Sequence, residues 1–518
     1  MLSLGSAETK KSRSRLASEP DFFFFCDLSD RSTWGKEYNQ MKEKNEKEKS
    51  KVCNCIVIHC PTFVNYYSVN SHKIHEIHTL SCDNCAVCTM DAVFGGRQMV
   101  FTDRISDNIT FSWADFRYKR ERLVIELNCR LSRETMTGIS LLSYVLSSGT
   151  DSLRDIVSLS RYLDRLYGAS LYVSSSRYGS RMIIHFDIDN VSGLYLTQKD
   201  NGIRCAQLLC DVISDPYLPE GSFSCDTVEV EKEKLREEIS FLINNKEAYC
   251  TRMLLRKFFG DSDRGLPELG FEEDIPGITS EWLYSLYKEC LRSCNINIFY
   301  CGNEKEEVKA LVESMITGKR LGSEAVVFDD RPVMLPESPF SVQESVGTEQ
   351  DIFSMIYHTG KRAGPKELAS LKIANSILGG MSTSRLFMNV REKQGLCYSC
   401  VSNRMTAGGS GILIESSTSP EKYSRNREAI EEEFSRFASE GPGEEELRQA
   451  KLSITNSLRG VTDTVAGVSS HYLASINGVG FYTEPEKEIE LIDAVTPDDV
   501  TALLREMRFC GVYRLHDE

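Results

Sequence analysis

The sequence predicts an α+β protein made of two homologous lobes, each a mainly antiparallel sheet with helices packed on one face. Across residues 99–320, short runs of β type alternate with segments whose apolar residues recur every three or four positions. Residues 347–518 repeat this plan, and the proline-containing linker 321–346 joins the two parts. Two similar lobes in one chain predict a clam shell whose sheets face a shared chamber.

In the first lobe, alternating apolar residues predict strands and helical spacing predicts helices. The predicted strands are 109–118, 122–131, 169–176, 181–189 and 295–301. The predicted helices are 134–148, 153–167, 205–214, 227–259 and 280–292. Tyr178 and Gly179 lie between two of these strands, which is typical of a β-hairpin.

In the second lobe, strands are predicted at 351–358, 396–404 and 411–417, and helices at 365–378 and 383–393 with three more to follow. The segment Tyr162–Val173 of the first lobe resembles Phe387–Tyr398 of the second. Each passes from an amphipathic helix through a glycine, Gly168 or Gly395, into a strand. Glycine suits that point because the residue after a helix often needs a positive φ.

The composition excludes two classes of partner. The 518 residues carry a formal net charge of −15, and nucleic acids and anionic membranes both favour a basic surface. No apolar run approaches the roughly 18 residues of a membrane span, and no signal-peptide pattern is present. We therefore expect a cytoplasmic protein whose partners are peptides or other proteins.

Residues 1–98 form an extension that the two-lobe plan does not include. Its first half is polar and charge-rich, which predicts disorder. Residues 53–88 hold six cysteines and four histidines, and the motif Cys82-x-x-Cys85-x-x-Cys88 has a spacing that zinc ligands use. No second CxxC pair completes such a site. A zinc-dependent interaction module, a disordered extension and a translation start further along the chain all remain open.

The other histidines are isolated in the sequence. They are His185, His358, His471 and His516. None has a carboxylate at ligand spacing, so roles in the core or on the surface are predicted for all four.

Two motifs resemble those of the pitrilysin/insulinase metallopeptidase family. The segment Leu378–Ser399, with Met-Asn-Val-Arg-Glu-Lys-Gln-Gly-Leu-Cys-Tyr at its centre, resembles the signature of that family's C-terminal lobe. The segment Leu153–Ser176 is similar to the N-terminal lobe of the family's bacterial YmfF-type branch. Active members carry His-x-x-Glu-His on a helix, which supplies two zinc ligands and a general base.

The resemblance implies that this chain has lost the zinc motif. The family's motif aligns with Ser140, Ser143 and Tyr144, so hydroxyl side chains occupy the two His positions and the Glu position. A neutral serine is a poor Zn²⁺ ligand and cannot act as a general base at neutral pH. No metal is therefore expected to be bound by this chain.

A pair of glutamates resembles the downstream carboxylates of active members. Glu231 and Glu238 are seven residues apart and share one face of a predicted helix. Without the histidines they make a poor zinc site. The alternative is that they belong to a solvated acidic helix.

The resemblance also implies that the second half of the family's chemistry is retained. Arg391 and Tyr398 match an Arg/Tyr pair with which the family binds the substrate backbone and stabilises the oxyanion. A guanidinium and a phenol at a rigid helix-to-strand junction can stabilise developing negative charge. The alternative is structural, with Arg391 at its helix C-terminus and Tyr398 in the sheet.

The implied function is that of a non-zinc, substrate-binding subunit in a heterodimeric peptidase acting on short peptides. The partner would be a paralogous subunit that carries the zinc. The alternative from another class is a scaffold or peptide-binding protein of the same family with no part in catalysis.

Overall fold

The computed structural model of the protein describes residues 99–517. The predicted N-terminal extension, with its Cys/His-rich segment 53–88, lies outside the described residues. Among the residues that are described, no helix combines the length and the apolar character needed to cross a membrane.

The first lobe is built on a mainly antiparallel sheet, as the sequence predicts, but the sheet has six strands, because a strand at Val100–Ser106 joins the five that were predicted. Its strands are β1 (Val100–Ser106), β2 (Ile109–Ala114), β3 (Arg120–Arg130), β4 (Ser170–Tyr178), β5 (Arg181–Val191) and β6 (Asn295–Cys301). They are ordered β1-β2-β6-β3-β5-β4, and only β2 and β6 run parallel. Strand β4 therefore lies at one edge of the sheet.

The described first lobe has seven α-helices, and all but Lys246–Phe259 pack on one face of this sheet. They are α1 (Met136–Leu146), α2 (Ile156–Arg165), α3 (Asn201–Ser214), α4 (Cys225–Asn244), α5 (Lys246–Phe259), α6 (Ser280–Arg292) and α7 (Lys305–Lys319). The predicted helix 227–259 is two helices, because Asn245 has a non-helical backbone and its side chain accepts a hydrogen bond from the Ala248 N–H at 3.2 Å. That interruption lets α5 leave the first lobe.

The second lobe holds a five-stranded sheet of the same kind. Its strands are β7 (Phe340–Ser345), β8 (Asp351–His358), β9 (Ser399–Met405), β10 (Gly411–Thr418) and β11 (Arg508–His516), in the order β7-β11-β8-β10-β9. Strand β7 belongs to the stretch predicted as linker 321–346, whose last residues pair in parallel with β11. The linker thus ends inside the sheet of the second lobe.

The helices of the second lobe follow the predicted order at first and then exceed it. Helix α8 (Pro365–Asn375) continues as a π-helical turn, Ser376–Gly380, and a second π-helical segment spans Leu386–Glu392. In the described part of the chain, five helices rather than the predicted three come after β10. They are α9 (Tyr423–Glu440), α10 (Glu444–Gly460), α11 (Val465–Val479), α12 (Pro485–Ala494) and α13 (Pro497–Glu506).

The two lobes exchange one helix each. Helix α11 of the second lobe covers the other face of the first sheet, where Tyr472 packs on Phe299 of β6 with ring centroids 5.4 Å apart. Helix α5 of the first lobe covers the second sheet, where the Cys250 thiol donates to the Tyr513 carbonyl at 3.3 Å. A cavity of about 600 Å³ lies between the lobes, lined by both.

A buried carboxylate fastens α11 to the first sheet. Glu126 of β3 has a side chain that is 1% exposed. The Asn477 amide at the end of α11 donates to both of its carboxylate oxygens, at 3.1 and 3.0 Å. Hydrogen bonds to a buried charge are among the stronger ones in proteins, so this contact contributes directly to the union of the lobes.

Replacing Asn477 by Ala should lower the free energy of unfolding by about 1–3 kcal/mol, because Glu126 would lose its amide donor while remaining buried. Urea unfolding of the variant measures this. Ser470→Ala on the exposed side of the same helix is the matched control. Equal midpoints for the two variants would contradict a stabilising role for the amide.

A pair of acidic side chains lies at the edge where α3 and α7 begin. Glu121 of β3 is fully buried and accepts from the Asn303 N–H at 3.3 Å. Glu304, just before α7, is half-buried, and its carboxylate lies close to that of Glu121. Burial, and then the neighbouring Glu121 carboxylate, raise the pKa of Glu304 to about 7.

This raised pKa predicts that stability falls with rising pH. Glu304 binds its proton more tightly in the folded than in the unfolded chain, so its contribution is complete below about pH 4.5 and is lost through about pH 7. Glu304→Gln should reduce the change in unfolding free energy between pH 5 and pH 8 by about 1 kcal/mol. The effect is no larger because solvent reaches Glu304 and screens the pair. Unfolding free energies from pH 5 to 8 test this, with Glu306→Gln as control. Identical slopes would rule out the raised pKa of Glu304.

Candidate functional site

The structure brings the degenerate motif and the two glutamates together. Helix α1 carries Ser140, Ser143 and Tyr144, and it packs against α4, which carries Glu231 and Glu238. Both helices are positioned by apolar contacts to the first sheet. The meeting of the two segments that the family resemblance implied is therefore present.

The two serines are enclosed rather than open to a ligand. Ser140 is fully buried, and its hydroxyl donates to the Glu268 carbonyl at 3.5 Å. Ser143 is 3% exposed and donates to the Ser140 carbonyl at 2.8 Å. Protein backbone thus occupies the hydrogen-bonding capacity of both hydroxyls.

Tyr144 and the two glutamates are bound to protein side chains. The Tyr144 phenol donates to the Glu238 carboxylate, and burial followed by this bond raises the pKa of Tyr144. Glu231 is 5% exposed and lies 2.7 Å from the Lys234 ammonium. It also accepts from the Ser148 hydroxyl at 3.3 Å. A raised phenol pKa keeps the proton on Tyr144, so the pair is a hydrogen bond rather than a metal ligand set.

The zinc ion that active members of the family bind does not fit these residues. Zn²⁺ needs imidazole, thiolate or carboxylate donors that converge on one point. In residues 99–517, no group of three His, Cys, Asp or Glu side chains is placed to hold a metal ion. No pattern in the sequence indicated Ser148 and Lys234, whose contacts with Glu231 depend on helix packing.

Arg391 and Tyr398 lie on one short, rigid junction of the second lobe. Arg391 is in the π-helical segment, its guanidinium stacked 4.8 Å from the Phe387 ring centroid. The chain turns at Gly395, where φ is +60° and the N–H donates to the Arg391 carbonyl at 3.0 Å. The Tyr398 N–H then joins β10 through the Ser417 carbonyl at 2.8 Å. Both ends of the junction are therefore fixed by backbone hydrogen bonds.

Both side chains reach solvent. The Arg391 side chain is 41% exposed and Tyr398 is 57% exposed. Within residues 99–517 the Tyr398 phenol has no hydrogen-bond partner. Neither residue lines the 600 Å³ cavity or the adjoining cavity of about 570 Å³ between the lobes. The pair is therefore exposed and lies outside both of these cavities.

The positive charge of Arg391 is felt close to Tyr398. A hydrogen bond from Cys400 is the largest cause that lowers the pKa of Cys397, and the Arg391 charge acts in the same direction. Cys397 directly precedes Tyr398, so the Arg391 charge acts on the residue next to Tyr398 in the chain. An exposed guanidinium and an exposed phenol can each donate to a carbonyl oxygen or a carboxylate.

The fold and the site together define a protein of two α+β lobes, in which residues 99–517 hold no candidate metal centre. Residues 277–454 match the model of the peptidase M16 inactive domain. The chain is 26% identical over 357 residues to the "probable inactive metalloprotease YmfF" of Bacillus subtilis, covering 68% of this chain and 83% of that protein. It is 23% identical over 401 residues to the "uncharacterized zinc protease YmxG" of the same organism, covering 74% and 93%.

Solved structures agree in fold. A conserved protein from Enterococcus faecalis superposes with a TM-score of 0.73 at 23% identity, over 81% of this chain and 99% of that one. A peptidase M16 inactive domain from Pseudomonas fluorescens superposes with a TM-score of 0.67 at 16% identity, over 81% and 98%. The predicted resemblance is thereby confirmed: the chain is similar to proteins of the peptidase M16 family, and its residues 140–144 do not carry the family's zinc-binding motif.

The bond between Tyr144 and Glu238 now serves as a structural contact between α1 and α4. Tyr144→Phe should lower the free energy of unfolding by about 1 kcal/mol, because Glu238 loses its phenol donor and can turn to water. Denaturant titration checks this against Tyr195→Phe, a change at a tyrosine that is 59% exposed. Equal stability of the two variants would show that the bond does not hold the helices together.

Proposed function

We propose that this chain is the non-zinc, substrate-binding subunit of a heterodimeric zinc peptidase that acts on short peptides. The observation that carries the proposal is a contrast between the two lobes. The degenerate zinc motif is buried and hydrogen-bonded to the protein, whereas Arg391 and Tyr398 are exposed on a rigid junction. An exposed pair suits a site completed by another subunit.

The names of relatives support both halves of the proposal. One similar protein is called a probable inactive metalloprotease, and others, including one from Mycobacterium leprae that is 28% identical over 306 residues, are called zinc proteases. Such a division of names is what a pair of paralogous subunits, one with zinc and one without, would produce. The acidic chain, with a net charge of −15, suits peptide and protein partners rather than nucleic acid.

In the proposed mechanism this chain holds the substrate and stabilises charge. The partner's zinc would activate the attacking water. The Arg391 guanidinium donates to a peptide carbonyl and fixes the backbone, and the Tyr398 phenol donates to the oxygen on which negative charge develops. The rigid junction matters because donors fixed in advance need not reorganise during the reaction.

We also propose that the protein is located in the cytoplasm. The eleven cysteines of residues 99–517 are all free thiols, which is the state expected in a reducing compartment.

A scaffold or peptide-binding protein of the same family is the second candidate. It is favoured by the helix exchange, which makes a stable two-lobed body without any catalytic group. Under that reading, Arg391 and Tyr398 would be ordinary surface residues and their replacement would leave turnover by any assembled complex unchanged.

Replacement of the pair in a reconstituted complex separates the candidates. With a paralogue carrying His-x-x-Glu-His co-purified from the native cells, Arg391→Ala or Tyr398→Phe should lower kcat for a fluorogenic peptide by about 100-fold, the usual cost of one oxyanion donor. Size-exclusion chromatography should show the complex intact.

Lys393→Ala and Tyr195→Phe are the matched controls for the loss of one surface charge and one surface hydroxyl. Unchanged turnover by the Arg391 and Tyr398 variants would leave scaffolding as the function. Chelator-sensitive cleavage by this chain alone would contradict both candidates.

A further inference from the structure

Three polar side chains form a hydrogen-bonded series on the first sheet, away from the degenerate motif. The Ser176 hydroxyl of β4 is 2.6 Å from His185 Nε2 of β5, and His185 Nδ1 is 3.0 Å from a Glu126 carboxylate oxygen of β3. The strands order β3-β5-β4, so each strand contributes one residue. His185 has no carboxylate at ligand spacing in the sequence, but the strand register places Glu126 directly opposite it.

The directions of the hydrogen bonds follow from the burial of the carboxylate. Glu126 is 1% exposed and already accepts the Asn477 amide on both oxygens, so it is held in place as an acceptor. His185 Nδ1 must then carry the proton that it donates to Glu126. This leaves the Nε2 lone pair facing the Ser176 hydroxyl, the arrangement in which a histidine can remove a proton from serine.

The solvent exposure of the three side chains differs, and the carboxylate is the most buried of them. The Glu126 side chain is buried, the His185 side chain is 25% exposed, and Ser176 is half-buried on the edge strand β4. A purely structural network could have the same bonds. An accessible hydroxyl, a partly covered base and a buried carboxylate are, in addition, what a nucleophile, its base and the group that orients the base require.

The hairpin supplies a donor next to the serine. Strands β4 and β5 are joined by two residues, and Gly179 at the first of them has a φ of +56°. In such a hairpin the residues that flank the turn, Tyr178 and Arg181, form a hydrogen-bonded pair. Hydrogen-bonded pairs recur every two residues, so Ser176 and Ile183 form the next one. The Arg177 N–H must therefore point outward from the free edge. An N–H directly after a nucleophile can stabilise an oxyanion.

We propose that Ser176 is a nucleophile for carboxylic esters, with His185 as its general base and Glu126 as the positioning residue. Ser176 Oγ bonds to the ester carbonyl carbon while its proton passes to His185 Nε2. The C–O bond to the alcohol then breaks, and the alcohol leaves with that proton. Water attacks the acyl-serine, His185 takes its proton and returns it to Ser176, and the carboxylic acid is released. The net reaction is ester plus water giving acid plus alcohol, independent of zinc and of the proposed function.

An alkyl fluorophosphonate tests the nucleophile directly in the full-length chain, because Ser176 would form a stable O–P bond with loss of fluoride. Tandem mass spectrometry of the tryptic peptide 166–177 locates the label. We expect label on Ser176, none on Ser176→Ala, and labelling slowed about 100-fold in His185→Gln. Ser174→Ala, on the same strand and face, should label like the unaltered chain. Nitrophenyl acetate should give a chelator-resistant burst of nitrophenol.

The positioning role of Glu126 has its own readout. Glu126→Gln should lower the labelling rate at saturating probe and leave the probe concentration for half-maximal rate unchanged, whereas a mere loss of structure would raise that concentration. Circular dichroism confirms that each variant is folded. Absence of label on Ser176 in the folded, unaltered chain would overturn the proposal, and so would equal labelling rates with and without His185.

Discussion

The exchange of one helix between the lobes is the constraint on which the rest of this structure depends. A sheet that carries helices on one face only can leave the other face to solvent. Here α11 covers the first sheet and α5 covers the second, so both central regions are buried on two sides. This explains why β3 is buried from Leu123 to Cys129 without the alternation of a half-exposed strand. Neither lobe can bury its sheet completely without the other.

The exchange also decides where polar groups can remain in the interior. Glu126 stands on the covered face of β3, and it is tolerated there because Asn477 and His185 bind its oxygens. Where α11 ends, the cover ends too, and Asn128 lines the cavity between the lobes. Both side-chain polar atoms of Asn128 lack a hydrogen-bond partner among the described residues. The positions at which β3 can carry polar residues thus depend on where α11, some 340 residues further along the chain, covers the strand.

Much of the fold follows from local patterns in the sequence. Short alternating runs identified β3, β5 and β6, and helical spacing identified α1 and α3. Gly395 was recognised as the point where a helix turns into a strand, and the structure gives it a φ of +60°. These features are decided by a few neighbouring residues, so they can be read without the rest of the chain. Strand β7 could not be, because its pairing with β11 joins residues about 170 positions apart.

At the candidate site, the residue types could be read from the sequence, whereas their arrangement in space could not. Hydroxyls in place of imidazoles at Ser140 and Tyr144 already exclude a zinc centre of the family's kind, since ligand chemistry belongs to the side chain itself. The sequence also places Arg391 and Tyr398 on one helix-to-strand junction. Only the tertiary structure decided that Ser140 is buried under a loop, that Arg391 and Tyr398 are exposed, and that Glu126, His185 and Ser176 meet. Those facts depend on strand register and helix packing, which are set by contacts between residues far apart in the chain.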